Sequence, residues 1–186
     1  MRIRWAVLGV VALLVLTACK KQDEAAESEA VSPPAAVDLQ PAASAGGACI
    51  LWDWAFIKQT IGVGFEVAAA DQVDDTSTCV VQTIRGDYPD LALSVVESTK
   101  ADADEFLEDL KPAKAIKLKG LGKAGYRLNK AASGAHGPTV EIAWLSQAKQ
   151  LQTLRFTFAK NAKAADVTTM NTKLLALAKA MNTTDG

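Results

Sequence analysis

Two stretches decide the fold class: Thr139-Val140-Glu141-Ile142-Ala143-Trp144-Leu145, and Gln150-Leu151-Gln152-Thr153-Leu154-Arg155-Phe156-Thr157-Phe158. Both are short and rich in β-branched and aromatic residues, as strands are. The second alternates. Leu151, Thr153, Arg155 and Thr157 fall on one side, and Gln152, Leu154, Phe156 and Phe158 on the other. That period of two is the mark of a strand.

C-terminal to this pair, Val167, Met170, Leu174, Leu177, Ala178 and Met181 recur at helical spacing and predict a helix over 164–181. On the N-terminal side, residues 133–138 (Ser133 to Pro138) read as a loop, and short strands are expected at 114–118 and 125–129 around Gly120-Leu121-Gly122. Thr99 is a suitable N-cap for a helix from Lys100 to about Leu110, with Asp102 placed early to suit the helix dipole and Pro112 beyond its end. Strands are expected at 79–84 and 91–97, paired as a hairpin about the turn residues Gly86-Asp87-Tyr88-Pro89. Cys49 to Ile61 carries two adjoining apolar stripes and predicts a helix ended by Gly62 and Gly64, with a turn-rich stretch over 71–78 following it. The order of elements predicts an α+β domain over 48–186, with an antiparallel sheet of about five to six strands covered by helices.

The N-terminal end reads differently. Arg2 and Arg4 precede an unbroken apolar run from Ala6 to Leu16. Such a run is too short to span a bilayer core, which takes about 20 residues, but it suits the apolar region of an export signal. It closes on Leu16-Thr17-Ala18-Cys19, which resembles the lipobox of bacterial lipoproteins. The resemblance implies cleavage after residue 18 and lipidation of Cys19. It also implies a protein held on a membrane by its acyl chains in the cell envelope. Lys20 stands where an Asp would retain a lipoprotein at the inner membrane, so in a diderm host the resemblance implies the outer membrane, facing the periplasm. Residues 20–47 lack aromatics, are rich in Ala, Ser, Glu and Pro, and contain Pro33-Pro34 and Pro41. They read as a disordered tether.

Charge excludes one class of partner. The chain carries 20 Lys and Arg against 21 Asp and Glu. Removing Arg2 and Arg4 with the signal makes the mature chain more acidic still. A general nucleic-acid binder shows the opposite excess. Once Cys19 is lipidated, Cys49 and Cys79 remain, an even pair in an oxidising compartment, and a disulfide between them is expected. A redox role is the alternative, although no Cys-x-x-Cys is present.

An early Cys opening a helix, a second Cys starting a strand about thirty residues on, Gly120-Leu121-Gly122-Lys123-Ala124 before a strand, and a long closing helix form a recognisable pattern. Over residues 48–181 it resembles small bacterial lipoproteins carrying domains of unknown function, some with folds similar to PsbP. The resemblance implies a curved antiparallel sheet covered by helices, and it brings no catalytic residues. Where Lys123 stands, that family has an acid.

Candidate sites are few. Gly120, Gly122 and Gly125 match a dinucleotide fingerprint, but that motif must open a helix and here a strand is expected. No cofactor is implied. His136, the only histidine, sits in a Gly- and Pro-containing loop. Asp102, Asp104, Glu105, Glu108 and Asp109 sit at helical spacing and read as a solvated acidic face rather than paired catalytic acids. The most biased stretch runs from Lys111 to Lys130 without an acid. Lys114, Lys117, Lys119, Lys123 and Arg127 are its candidates for an anionic lipid, polymer or acidic protein. The expected function is a non-enzymatic envelope module that binds a protein or an anionic polymer. The alternative is a hydrolase, which paired acids or His136 meeting a serine in a cleft would favour.

Overall fold

The computed structural model describes residues 39–97 and 100–182. The signal segment 1–18, Cys19, most of the tether and Thr99 lie outside the described residues. The domain is α+β. Among the described residues one sheet forms, with seven antiparallel strands rather than five to six, in the order β1-β2-β3-β7-β6-β5-β4. These are β1 (Val67–Val73), β2 (Thr76–Thr83), β3 (Gly86–Val96), β4 (Ile116–Leu118), β5 (Ala124–Lys130), β6 (Thr139–Leu145) and β7 (Leu151–Thr157). The β6–β7 pair lies inside the sheet, with Ile142 opposite Leu154 and Val140 opposite Phe156.

One face of the sheet carries the main core. Val81, Leu91, Phe156 and Val140 form one cross-strand row, and Cys79, Leu93, Leu154 and Ile142 the next. All eight side chains are buried. Helices α1 (Trp54–Ile61) and α3 (Ala164–Asn182) close over this face through Ile57, Ile61, Met170, Leu174 and Leu177. The Lys173 ammonium donates to the Ile61 carbonyl at 3.1 Å and so ties α3 to the open end of α1. The Cys49–Cys79 disulfide joins the segment before α1 to the middle of β2. No helix among the described residues is long and apolar enough to cross a membrane.

The other face is covered at one end only. Phe106, Ala124, Tyr126, Leu128, Ala143 and Leu145 make a second cluster there, under α2 (Ala103–Glu105) and the wide helical turn Phe106–Leu110 that continues it. Over β2, β3 and β7 that face stays open. Thr78, Val80, Ala92, Ser94 and Thr153 are only half-buried there, while their neighbours in sequence are mostly fully buried.

Several expectations are corrected, each for a local reason. The helix expected over 49–61 is broken. Gly47–Leu51 is a 3-10 helix, Trp52 is extended, and the Asp53 carboxylate caps α1 by accepting the Phe56 amide at 2.8 Å. The missed strand is β1, whose Ala, Asp and Gln residues carry little β propensity. Only Asp74-Asp75 of the turn-rich stretch makes a turn, with Asp74 at φ 50°. The β2–β3 turn falls at Ile84-Arg85, not at Gly86 to Pro89. Pairing passes from Thr83 opposite Gly86 to Gln82 opposite Asp90, so residues 87–89 bulge out of the ladder and Pro89 removes no ladder bond. Helix α2 is capped by Asp102, which accepts the amides of Asp104 and Glu105. The folded domain also begins earlier than residue 48. Ala42–Ala45 form a 3-10 helix, Ala42 is buried, and the Trp54 indole donates to the Gln40 carbonyl at 2.8 Å.

Candidate functional site

Strand register decides which side chains share the open face. Asp90, Thr157, Thr139 and Lys130 form one row across β3, β7, β6 and β5. Ala92, Arg155, Glu141 and Leu128 form the next, and Ser94, Thr153, Ala143 and Tyr126 the third. Two adjoining depressions result. One, of about 230 Å³, lies over Thr78, Ala92, Ser94 and Thr153. The other, a cleft of about 340 Å³ at the end of the sheet, is bounded by Asp90, Thr139, Thr157 and Lys130 and by Tyr88 and His136 from loops. Arg155 borders both.

The loops reach the cleft for local reasons. The bulge at 87–89 brings Tyr88 to its rim. The loop 131–138 is held down at Gly137, whose amide donates to the Phe158 carbonyl at 2.8 Å. Any side chain at Gly137 would strike the Ala159 carbonyl. Next to it the His136 ring places Nδ1 2.6 Å from the Gly137 carbonyl, which fits an Nδ1–H donor. That ring lies 5.8 Å from the Tyr88 ring, tilted by 56°. Ser133 and His136 meet through the backbone, the His136 amide donating to the Ser133 carbonyl at 3.2 Å.

The polar groups of the cleft are unevenly satisfied. Burial pushes the Asp90 carboxyl above its ordinary value, against the pull of the Thr157 hydroxyl and of the Arg155 and His136 charges. Asp90 Oδ1 is buried with no hydrogen-bond partner, and so is Thr139 Oγ1, whose residue is 5% exposed. Beside them, the Lys130 ammonium lies 3.2 Å from Glu141 Oε2, and the Tyr126 hydroxyl donates to Glu141 Oε1 at 3.4 Å. Burial, then the charge and hydrogen bond of Glu141, push the Tyr126 phenol up to about 12.

The residues singled out in the sequence fall elsewhere for the most part. Cys49 and Cys79 are joined, as expected. Lys114, Lys117, Lys119 and Lys123 are exposed on and around β4, an edge strand. Lys117 lies opposite Tyr126, so the half-buried Arg127 next to Tyr126 points to the other face of the sheet, and the five do not form one surface. Of the whole basic stretch, Lys130 is the residue that lines the cleft. Gly122, at φ 55°, lies against the Leu145 carbonyl and leads into β5, which is the turn role the dinucleotide motif denies. The acids of the second helix are exposed, and Asp102 is held below the usual carboxylate range by the Glu105 and Asp104 amides.

Asp90, Thr139 and Arg155 were not among the sequence candidates. Their one signal is Arg155, a charge between Thr153 and Thr157 on the side of β7 away from the core. No family model, curated protein or solved structure matches this chain.

Proposed function

We propose that this chain is an envelope lipoprotein, anchored through Cys19, whose folded domain is a binding module that uses the uncovered face of its sheet. The observation carrying this reading is that face itself. It is half-buried and lined mostly by small side chains, apolar and hydroxyl-bearing, over β2, β3 and β7, and ends in a cleft with two unpartnered buried oxygens. Concave surfaces with a few convergent polar groups are where proteins bind small ligands and polymer ends. The exposed lysines around β4 give one edge of the domain a positive character that would favour approach to anionic lipid or polymer. They also protect an edge strand from pairing with another chain.

The test places a photo-crosslinking residue at Ser94, on the open face, or at Lys179, on α3, in the exported full chain. Adducts formed in intact envelopes from position 94 and not from 179 support the module. Equal or absent labelling opposes it. Cys19→Ser should move the same protein from the membrane to the soluble fraction.

A second reading has one observation in its favour. His136, Ser133 and Asp90 line a single cleft, the arrangement that would suit a hydrolase. The contact between Ser133 and His136 runs through the backbone, which fits binding better than a nucleophile and base already paired. Labelling of Ser133 by a fluorophosphonate probe would reverse that preference.

A further inference from the structure

We infer that the cleft between Asp90, Thr139 and Arg155 takes a neutral, hydroxyl-rich ligand, a saccharide unit, and that it is the specificity-determining end of the open sheet face. This rests on the reading of that face as a binding surface and names the ligand class.

Charge in the cleft is balanced. Lys130 is matched by Glu141 at 3.2 Å. What remains in the cleft is one guanidinium, Arg155, one carboxyl, Asp90, and the His136 imidazole, both Arg155 and His136 within electrostatic reach of Asp90. With the imidazole neutral, such a site has no net charge with which to hold an anion, and none with which to hold a cation. The five lysine and arginine candidates of the sequence do not line it.

Hydrogen-bond capacity in the cleft is mixed. Asp90 Oδ1 is an acceptor without a donor, and the Thr139 hydroxyl can donate or accept, yet both are buried and unpartnered. Leaving such atoms unmatched is unfavourable, so a ligand that supplies both kinds of partner is strongly preferred. A carboxylate or phosphate offers acceptors only and would repel Asp90 in its ionised form. An ammonium offers donors only and would leave the Arg155 donors unused. A sugar hydroxyl both donates and accepts, and neighbouring hydroxyls on one ring present that pair at fixed spacing.

The rim of the cleft is aromatic. The Tyr88 ring stands at the mouth of the cleft, tilted against His136 rather than stacked flat on it. A half-buried aromatic ring at the mouth of a cleft suits the apolar C–H side of a sugar ring while the hydroxyls meet the polar floor. A volume of about 340 Å³ accommodates one or two such rings.

His136 is the only histidine in the chain, so its ring gives one unambiguous NMR signal beside the cleft. The experiment uses the full chain, untagged with histidine, in a non-glycosidic detergent. It is titrated with maltotetraose, cellotetraose and tetra-N-acetylchitotetraose, and separately with inorganic phosphate and succinate. Saturable shifts of the His136 signals by at least one neutral oligosaccharide are expected. Thr139→Val and Asp90→Asn should each weaken them about tenfold or more, and Lys179→Gln should not. Thr139→Val nearly preserves shape, and thermal melts of both cleft variants verify the fold. Binding of phosphate or succinate with no effect of the sugars would overturn the saccharide assignment while leaving a binding module. No response to any of these probes would overturn it as well, and crosslinking at position 94 then decides separately whether the open face binds anything. Sugar binding indifferent to Thr139→Val and Asp90→Asn would also overturn it, because the ligand would lie elsewhere.

Discussion

Glu141 faces Arg155 across the β6–β7 ladder and takes the Lys130 ammonium at 3.2 Å on its other side. One carboxylate, 11% exposed, thus lies between two cations at the boundary of the covered and open halves of the sheet face. It also accepts from the Tyr126 hydroxyl, which belongs to the covered half. The chemistry of the cleft and the packing under α2 are therefore joined through a single side chain.

Tyr126 ties the stability of the domain to alkaline pH. Its phenol is pushed up to about 12, first by burial and then by Glu141. The folded value lies above the unfolded one, so the neutral phenol favours the fold. That contribution is complete below about pH 10 and is lost as pH rises through about 12. Urea midpoints of the wild type should fall faster than those of Tyr126→Phe across this window, and parallel curves would refute the assignment. In Glu141→Gln the phenolate should appear at lower pH but still above about 10, since burial is the larger cause.

Much of the fold is legible in the sequence where burial is one-sided. In β7 the buried Gln152, Leu154 and Phe156 alternate with the half-buried or exposed Leu151, Thr153 and Arg155, and only the buried Thr157 breaks the pattern. In β6 every residue is buried, Thr139 and Glu141 included, so the strand shows no alternation and is marked instead by the apolar run Ile142-Ala143-Trp144-Leu145. In β1 the core contribution comes from Ala68 and Ala70, whose small side chains leave no periodic signal. The bulge at 87–89 carries real turn chemistry, but the chain uses it to project Tyr88 rather than to reverse. The cleft is less legible for a topological reason. Asp90, Thr139 and Arg155 stand on three strands and become neighbours only through register, which sequence spacing does not encode.

Two glycines of one motif should respond differently to alanine. Gly120 has φ 69° and open space around it, so Gly120→Ala meets only the backbone penalty of about 1–2 kcal/mol. Gly122 has φ 55° and would drive its methyl group into the Leu145 carbonyl. The Leu145 carbonyl also accepts the Lys123 amide at 2.8 Å, so moving it breaks the start of β5. Gly122→Ala should destabilise by about 3 kcal/mol or more in chemical denaturation. Equal effects at the two positions would contradict the close approach.

The disulfide should matter through the chain it closes. Cys49 and Cys79 are 30 residues apart, and both are fully buried. Closing such a loop contributes about 3–4 kcal/mol in the chain-entropy model. Cys49→Ala/Cys79→Ala should lower the urea midpoint accordingly. A loss below about 1 kcal/mol would mean that the segment before α1 is held equally well by Trp52, Ala48 and the Trp54–Gln40 contact.

Asp90 gives the last prediction, and its sign runs against the usual one for a carboxylate. Burial raises its pKa above 3.8, with Thr157, Arg155 and His136 opposing that shift. The protonated form is therefore the one the fold prefers. Its contribution is full below the unfolded value of 3.8 and is lost as pH rises through the higher folded value. Near neutrality the ionised group weakens the fold, whereas Asn in its place stays neutral at every pH. Thermal melts of Asp90→Asn and wild type should differ little at about pH 3, and the variant should become the more stable one as pH rises toward neutral, with a plateau beyond. Arg155 supplies part of the charge that makes ionisation tolerable, so the gap should widen when both proteins also carry Arg155→Met. A gap independent of pH would mean that Asp90 is ordinarily solvated. A gap unchanged by Arg155→Met would remove the guanidinium from the cleft.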